Sequence, residues 1–220
     1  MAGQGLLFRA CRLIGRAAGW SRGADPSLFE GGAVYLCRHM GASGPFRALL
    51  SAPIPVKPWI LGEFFDPARC RRFFAEVTFR GRFRMPVPLA SALAFLIARP
   101  FSRLVRSSGG IPVYRASASS AKTFRLSLDA LVGGESLLIF PDVDYAGKGD
   151  GIGKLHRGFL ALDRPYYART GERARFVPLH VGDKGVAVGK AVSFSGDYKD
   201  QWEEVLDRLG AEFRRLESEG

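Results

Sequence analysis

The chain has 220 residues, 47% of them hydrophobic and 24% charged, enough for one sizeable core and not the composition of a disordered protein. Lys+Arg number 32 against 21 Asp+Glu, and the net charge of +11 attracts anionic partners: nucleic acid, anionic lipid, acidic carrier proteins or phosphorylated substrates. Three cysteines, Cys11, Cys37 and Cys70, are odd in number and fit no metal-ligand spacing, so they read as reduced thiols used in packing, in a cytosolic protein.

No apolar run reaches the ~18–20 residues that a membrane-spanning helix needs. The longest, Val87 to Ala98, ends at Arg99-Pro100. Near the N-terminus, Arg9, Arg12 and Arg16 interrupt any signal-peptide core.

Residues 5–19 read as an amphipathic helix, with Leu6, Ala10, Leu13, Ile14 and Ala17 on one face and Arg9, Arg12 and Arg16 on the other. Such a helix suits a membrane interface, or caps a core with a solvated basic face. A loop over 21–32 leads to a buried strand at Ala33–Cys37. A helix over 45–50 and a strand over 56–61 follow. Pro67 to Phe79 reads as a helix with Pro in its first turn. Leu89 to Val105 is helical, and Pro100 should break or kink it.

Next come a strand over 111–114 and a helix over 119–131 ended by Gly133-Gly134. Ser136–Phe140 is a near-continuous apolar strand, as expected where both faces are covered. A glycine-rich loop over 144–153 precedes a helix over 155–168. A strand over 176–181 is followed by a hairpin of 186–188 with 192–194. A last helix starts at Asp197 or Asp200 and runs to about Leu216. The alternation predicts an α/β fold. It is read as a single domain over 21–220, with a mostly parallel or mixed central sheet flanked by helices, and the N-terminal helix over 1–20 before it.

Four short segments stand at strand ends in fixed order: Arg38-His39-Met40-Gly41-Ala42-Ser43-Gly44-Pro45, Gly110-Ile111-Pro112-Val113-Tyr114-Arg115, Leu138-Ile139-Phe140-Pro141-Asp142, and Phe176-Val177-Pro178-Leu179. His39 directly follows a strand, where open α/β sheets gather their sites, and its side chain serves as a base near neutral pH. The stretch Gly147–Gly153 fits neither a dinucleotide fingerprint nor a phosphate-binding P-loop, and reads as a loop over the site. There is no Gly-x-Ser-x-Gly elbow and no zinc spacing.

In order and spacing, the four segments resemble the sequence blocks of the phospholipid/glycerol acyltransferase family, whose members include lysophosphatidic acid acyltransferases. The resemblance covers residues 33–195. It implies a glycerolipid acyltransferase-like fold in which His39 is the catalytic base of a His-x4-Asp pattern. Gly44 stands where that Asp belongs, so Asp142 or Asp144 would orient the imidazole instead. Gly110 and Arg115 would belong to the acceptor site, with the Arg115 guanidinium forked onto the acceptor phosphate. Tyr145 replaces the Arg of the third block, and Lys154 and Arg157 would restore its positive charge. The apolar Leu89–Leu96 region either borders the acyl chain or packs in the core.

The implied function is transfer of a fatty acyl group from acyl-CoA or acyl carrier protein to a lysophospholipid or glycerol-phosphate-type hydroxyl. It would need no bound cofactor and no metal. Its setting would be the anionic inner face of the cell membrane, as a peripheral cytoplasmic protein in phospholipid synthesis. The alternative is a catalytically impaired, lipid-binding relative. Nucleic-acid binding is the third reading and the least supported, because no recognition module accompanies the charge.

Overall fold

The run Ala-Val-Tyr-Leu-Cys has no polar alternation, and it forms a strand, β1 (Ala33–Cys37), buried at every position. A computed structural model describes residues 4–17, 25–38, 44–114, 117–141, 156–182, 185–196 and 201–219. The other strands are β2 (Val56–Leu61), β3 (Ile111–Val113), β4 (Ser136–Ile139), β5 (Arg175–Gly182) and β6 (Gly185–Val188). Among the described residues they pair in the order β3-β2-β4-β1-β5-β6. All neighbours are parallel except β5 and β6. The fold class is α/β, with a mostly parallel sheet flanked by helices, as the alternating pattern predicts.

The chain divides into two compact units. Unit 2 comprises Cys11–Pro58 and Phe124–Gly220. At its centre β1 lies between β4 and β5, in register Leu36↔Ile139 and Cys37↔Leu179. Helix α5 (Ser117–Val132) precedes β4, and the first half of β2 pairs β4 through Val56↔Ser136. Helix α7 (Trp202–Glu219) packs on β5, burying Val205, Leu209, Phe213 and Leu216, which recur every three or four residues. Phe176 of β5 meets Phe159 and Phe194 edge-on, at centroid distances of 5.5 and 6.3 Å. The phenol of buried Tyr35 donates to the Glu30 carbonyl (2.9 Å) and accepts from its amide (2.7 Å), and burial pushes its pKa up to about 12.

Unit 1 comprises Met1–Ala10 and Trp59–Thr123. The second half of β2 pairs β3 in register Leu61↔Val113. Helix α3 (Pro67–Phe73) starts on an Asp66 cap, whose carboxylate accepts from the amides of Ala68 and Arg69. A π-helix, Phe74–Arg82, follows, and then α4 (Val87–Ser107). Half-buried phenylalanines cluster here: Phe64 stacks on Phe74 and meets Phe73 and Phe101 edge-on, at 4.9 to 5.6 Å between centroids. The buried Cys70 thiol is pushed up to about 11, chiefly by desolvation and secondarily by Asp66.

Four expectations change. The helix foreseen over 67–79 winds wider into a π-helix after Phe73. Pro100 does not end α4, which runs on to Ser107; Pro100 lies on the exposed side, so the carbonyl that loses its partner is not in the core. The stretch 155–168 is a 3-10 turn, Arg157–Leu162, then α6 (Asp163–Thr170). The hairpin forms between β5 and β6, while Val192 exchanges backbone hydrogen bonds with Phe176. Helix α1 (Leu6–Ala17) forms where expected, and its Leu6, Leu13 and Ile14 are exposed. Its first turn is tied within unit 1: Ser107 accepts from the Gly5 amide at its carbonyl (2.8 Å) and from the Phe8 amide at Oγ (2.9 Å).

Candidate functional site

Parallel pairing brings the carboxyl ends of β1, β4 and β5 side by side in unit 2. The first sequence block follows β1, the third begins on β4 and the fourth lies on β5, so the segments after Arg38 and after Pro141 leave from neighbouring points. His39, Asp142, Asp144 and Lys154 themselves lie outside the described residues, as does Arg115, which follows β3 of unit 1. Gly110 and Arg157 are described. Gly110 precedes β3, and its amide donates to Ser108 Oγ at 3.3 Å. Ser108 Oγ donates in turn to the Val105 carbonyl at 2.7 Å, so the end of α4 fixes the approach to β3.

The His156 amide donates to the Pro141 carbonyl at 2.7 Å. That bond holds residue 156 at the carboxyl end of β4, so Arg157 opens its turn there, exposed, with Glu203 of α7 at 4.0 Å. Such a wide, solvated contact fixes the guanidinium weakly and leaves it able to meet an anion. Gly44 opens α2 (Gly44–Ser51) and is buried. Arg47 of the same helix donates to the Gly182 carbonyl at 2.9 Å, tying α2 to the end of β5.

One group at this edge was not singled out from the sequence. His180, just past the Cys37↔Leu179 pair, is half-buried beside Arg38, which is ion-paired with Glu217 of α7. A Cβ on Gly182 would sit 3.1 Å from His180 Nε2, so glycine there leaves room for the imidazole. Burial is the largest influence on its pKa and lowers it; Glu217 opposes and Arg38 reinforces that shift. A lowered folded-state value means that the unfolded chain takes up the proton first. The contribution to stability is therefore complete above the ordinary value of about 6.5 and is lost as pH falls below it. Melting temperatures measured downward from about pH 8 should fall less steeply below about pH 6.5 in His180→Gln than in the wild type; parallel curves would remove this role.

In unit 1 the second block is held by a close approach. Gly62, after β2, faces the Tyr114 ring, and a Cβ there would lie 2.4 Å from Cε1. Gly62→Ala forces the ring aside and should cost about 1–3 kcal/mol as an overpacking change. In a Tyr114→Ala background most of that cost should vanish. Equal costs in both backgrounds would locate the strain elsewhere.

Among the described residues no group of His, Cys, Asp and Glu is arranged to hold a metal ion. No protein-family model matches the chain, and no curated protein matches it.

Proposed function

We propose that the protein is an acyltransferase that moves a fatty acyl group from an acyl thioester, on coenzyme A or acyl carrier protein, to the hydroxyl of a lysophospholipid or glycerol-phosphate-type acceptor. The observation that carries this reading is the adjacency of β1 and β4, from whose carboxyl ends the His39 segment and the Asp142–Lys154 segment depart. In the proposed reaction His39 accepts the acceptor's hydroxyl proton as its oxygen attacks the thioester carbonyl. The C–S bond breaks, and the imidazolium returns the proton to the leaving thiolate. Asp142 or Asp144 orients the imidazole. Lys154 and Arg157 hold the acceptor phosphate through charge-assisted hydrogen bonds. The setting is the anionic inner face of the cell membrane.

A second reading, a lipid-binding relative without turnover, is favoured by Gly44 and Tyr145, which leave the first and third blocks short of a carboxylate and a cation. Acyl transfer by the purified protein to lysophosphatidic acid and other lysophospholipids decides between them. Labelled diacyl product supports the enzyme; folded, liposome-bound protein that makes none with any acceptor supports the binder.

A further inference from the structure

Helix α4 is built inside out. A helix on a soluble protein turns its large apolar side chains inward and its polar ones to water. In α4 the inward stripe is small: Ala90, Ala94, Ala98 and Ser102 are buried, one every four residues. The bulky groups point out instead, with Leu89 50% exposed and Phe95 and Leu96 each 67% exposed. Leu89, Leu96, Arg99 and Arg103 follow one another at helical spacing, so the apolar surface of the first turns runs into a basic one. The π-helix packs against α4 and carries exposed Val77, Arg80 and Arg82 of its own.

Charge gathers in the same unit. Of the 32 Lys+Arg, 12 fall in unit 1, against 3 of the 21 Asp+Glu. About a third of the chain therefore carries +9 of the net +11.

An exposed apolar patch of this kind marks an interaction site, and the arginines around it select the partner. A second copy would set two strongly cationic surfaces together, which repels. Nucleic acid would take the arginines and leave Leu89, Phe95 and Leu96 in water. An anionic bilayer satisfies both, with hydrocarbon for the apolar side chains and lipid phosphates for the guanidinium groups. By length and composition α4 would also cross a membrane. Its inner stripe, however, is taken by α3 and the π-helix, whose exposed Arg69, Arg71, Arg72, Arg80 and Arg82 would then have to enter hydrocarbon.

We propose that the outward face of α4 docks flat on an anionic lipid bilayer: Leu89, Phe95 and Leu96 enter the acyl-chain boundary, while Arg99 and Arg103 pair with lipid phosphates. The inference deepens the membrane part of the function proposed above and rests on it only for that destination.

Full-length protein is sedimented with vesicles of phosphatidylcholine alone and of phosphatidylcholine with phosphatidylglycerol. Wild type should partition onto the mixed vesicles, and Leu89→Ser/Phe95→Ser/Leu96→Ser should partition at least ~10-fold less. Arg99→Gln/Arg103→Gln should lose ~5-fold per charge on the mixed vesicles and little on the neutral ones. These side chains are exposed, so circular dichroism and melting should be unchanged. As a readout independent of the triple variant, Phe95→Trp should shift its emission to the blue on adding the mixed vesicles. Equal partitioning of wild type and triple variant, or no Trp shift, overturns the proposal. So does a wild-type dimer that the triple variant converts to monomer, or duplex DNA binding that the triple variant loses. Sedimentation needs no turnover, so a protein that docks but transfers no acyl group refutes the enzyme reading and leaves the docking face standing.

Discussion

Asp163→Ala should destabilise the protein by about 1–3 kcal/mol, the cost of leaving a buried amide without its acceptor, with the lost pairing to Arg173 added to it. Asp163 opens α6 and is fully buried. Its carboxylate accepts from Arg173 Nη1 and from the Ala174 amide, both at 2.8 Å. Arg173 is fixed from two further sides: Nη2 donates to the Gly196 carbonyl at 2.9 Å, and the guanidinium sits 4.3 Å above the centre of the Tyr167 ring. Truncation leaves the Ala174 amide buried without an acceptor, which is why the effect exceeds that of a surface pair. Asp163→Asn keeps an acceptor for the Ala174 amide and should cost less. Urea denaturation compares the three proteins, and a change below about 1 kcal/mol in Asp163→Ala would show the network to be dispensable. The consequence reaches the candidate site, because Ala174 leads directly into β5, the neighbour of β1.

His39→Ala should lower acyl transfer by about 10²–10⁴-fold, the range for losing a general base, with melting unchanged. The result separates chemistry from binding if KM for the acceptor moves much less than kcat. Asp142→Asn and Asp144→Asn complete the test. The acid that orients His39 should cost up to about 10⁴-fold when neutralised, as in a Ser-His-Asp site, while the other should be nearly silent. Activity that survives His39→Ala removes the proposed base. Two silent Asn variants beside a dead His39→Ala would mean that the imidazole works with a different partner at this edge.

Much of the fold was legible because its strands lack alternation. Ala33–Cys37 read as a buried strand and Ser136–Phe140 as a strand covered on both faces, and the strands that form, Ala33–Cys37 and Ser136–Ile139, are buried throughout. The last helix, expected from Asp197 or Asp200 to about Leu216, is α7, whose buried Val205, Leu209, Phe213 and Leu216 recur every three or four residues. The inward side of α4 was not legible, because from Val87 to Ala98 nearly every position is apolar and periodicity cannot say which side faces in. The four-residue recurrence of Ala90, Ala94 and Ala98 marks the buried side; in the Leu89–Leu96 region, Ala90 and Ala94 pack in the core while Leu89, Phe95 and Leu96 are exposed.

The partner of β6 was equally hidden, because short Val-rich segments pair as readily with one neighbour as another and only tertiary contacts choose. At the site, block order located the strand ends. His180 carried no local signal, because its neighbours Arg38 and Glu217 come from distant parts of the chain. His39, Asp142, Asp144, Arg115 and Lys154 rest on the sequence alone.

The split character of α4 frees two properties from each other. Substitutions at Ala90, Ala94 or Ala98 would push α3 and the π-helix away and register as lost stability. Substitutions at Leu89, Phe95 or Leu96 touch little of the protein and should add independently to any change made in the interior. Selection can therefore retune what this surface meets, residue by residue, without renegotiating the fold. Under the proposed lipid docking, sequence differences between related proteins should collect on the outer side of α4 while the alanine stripe stays fixed.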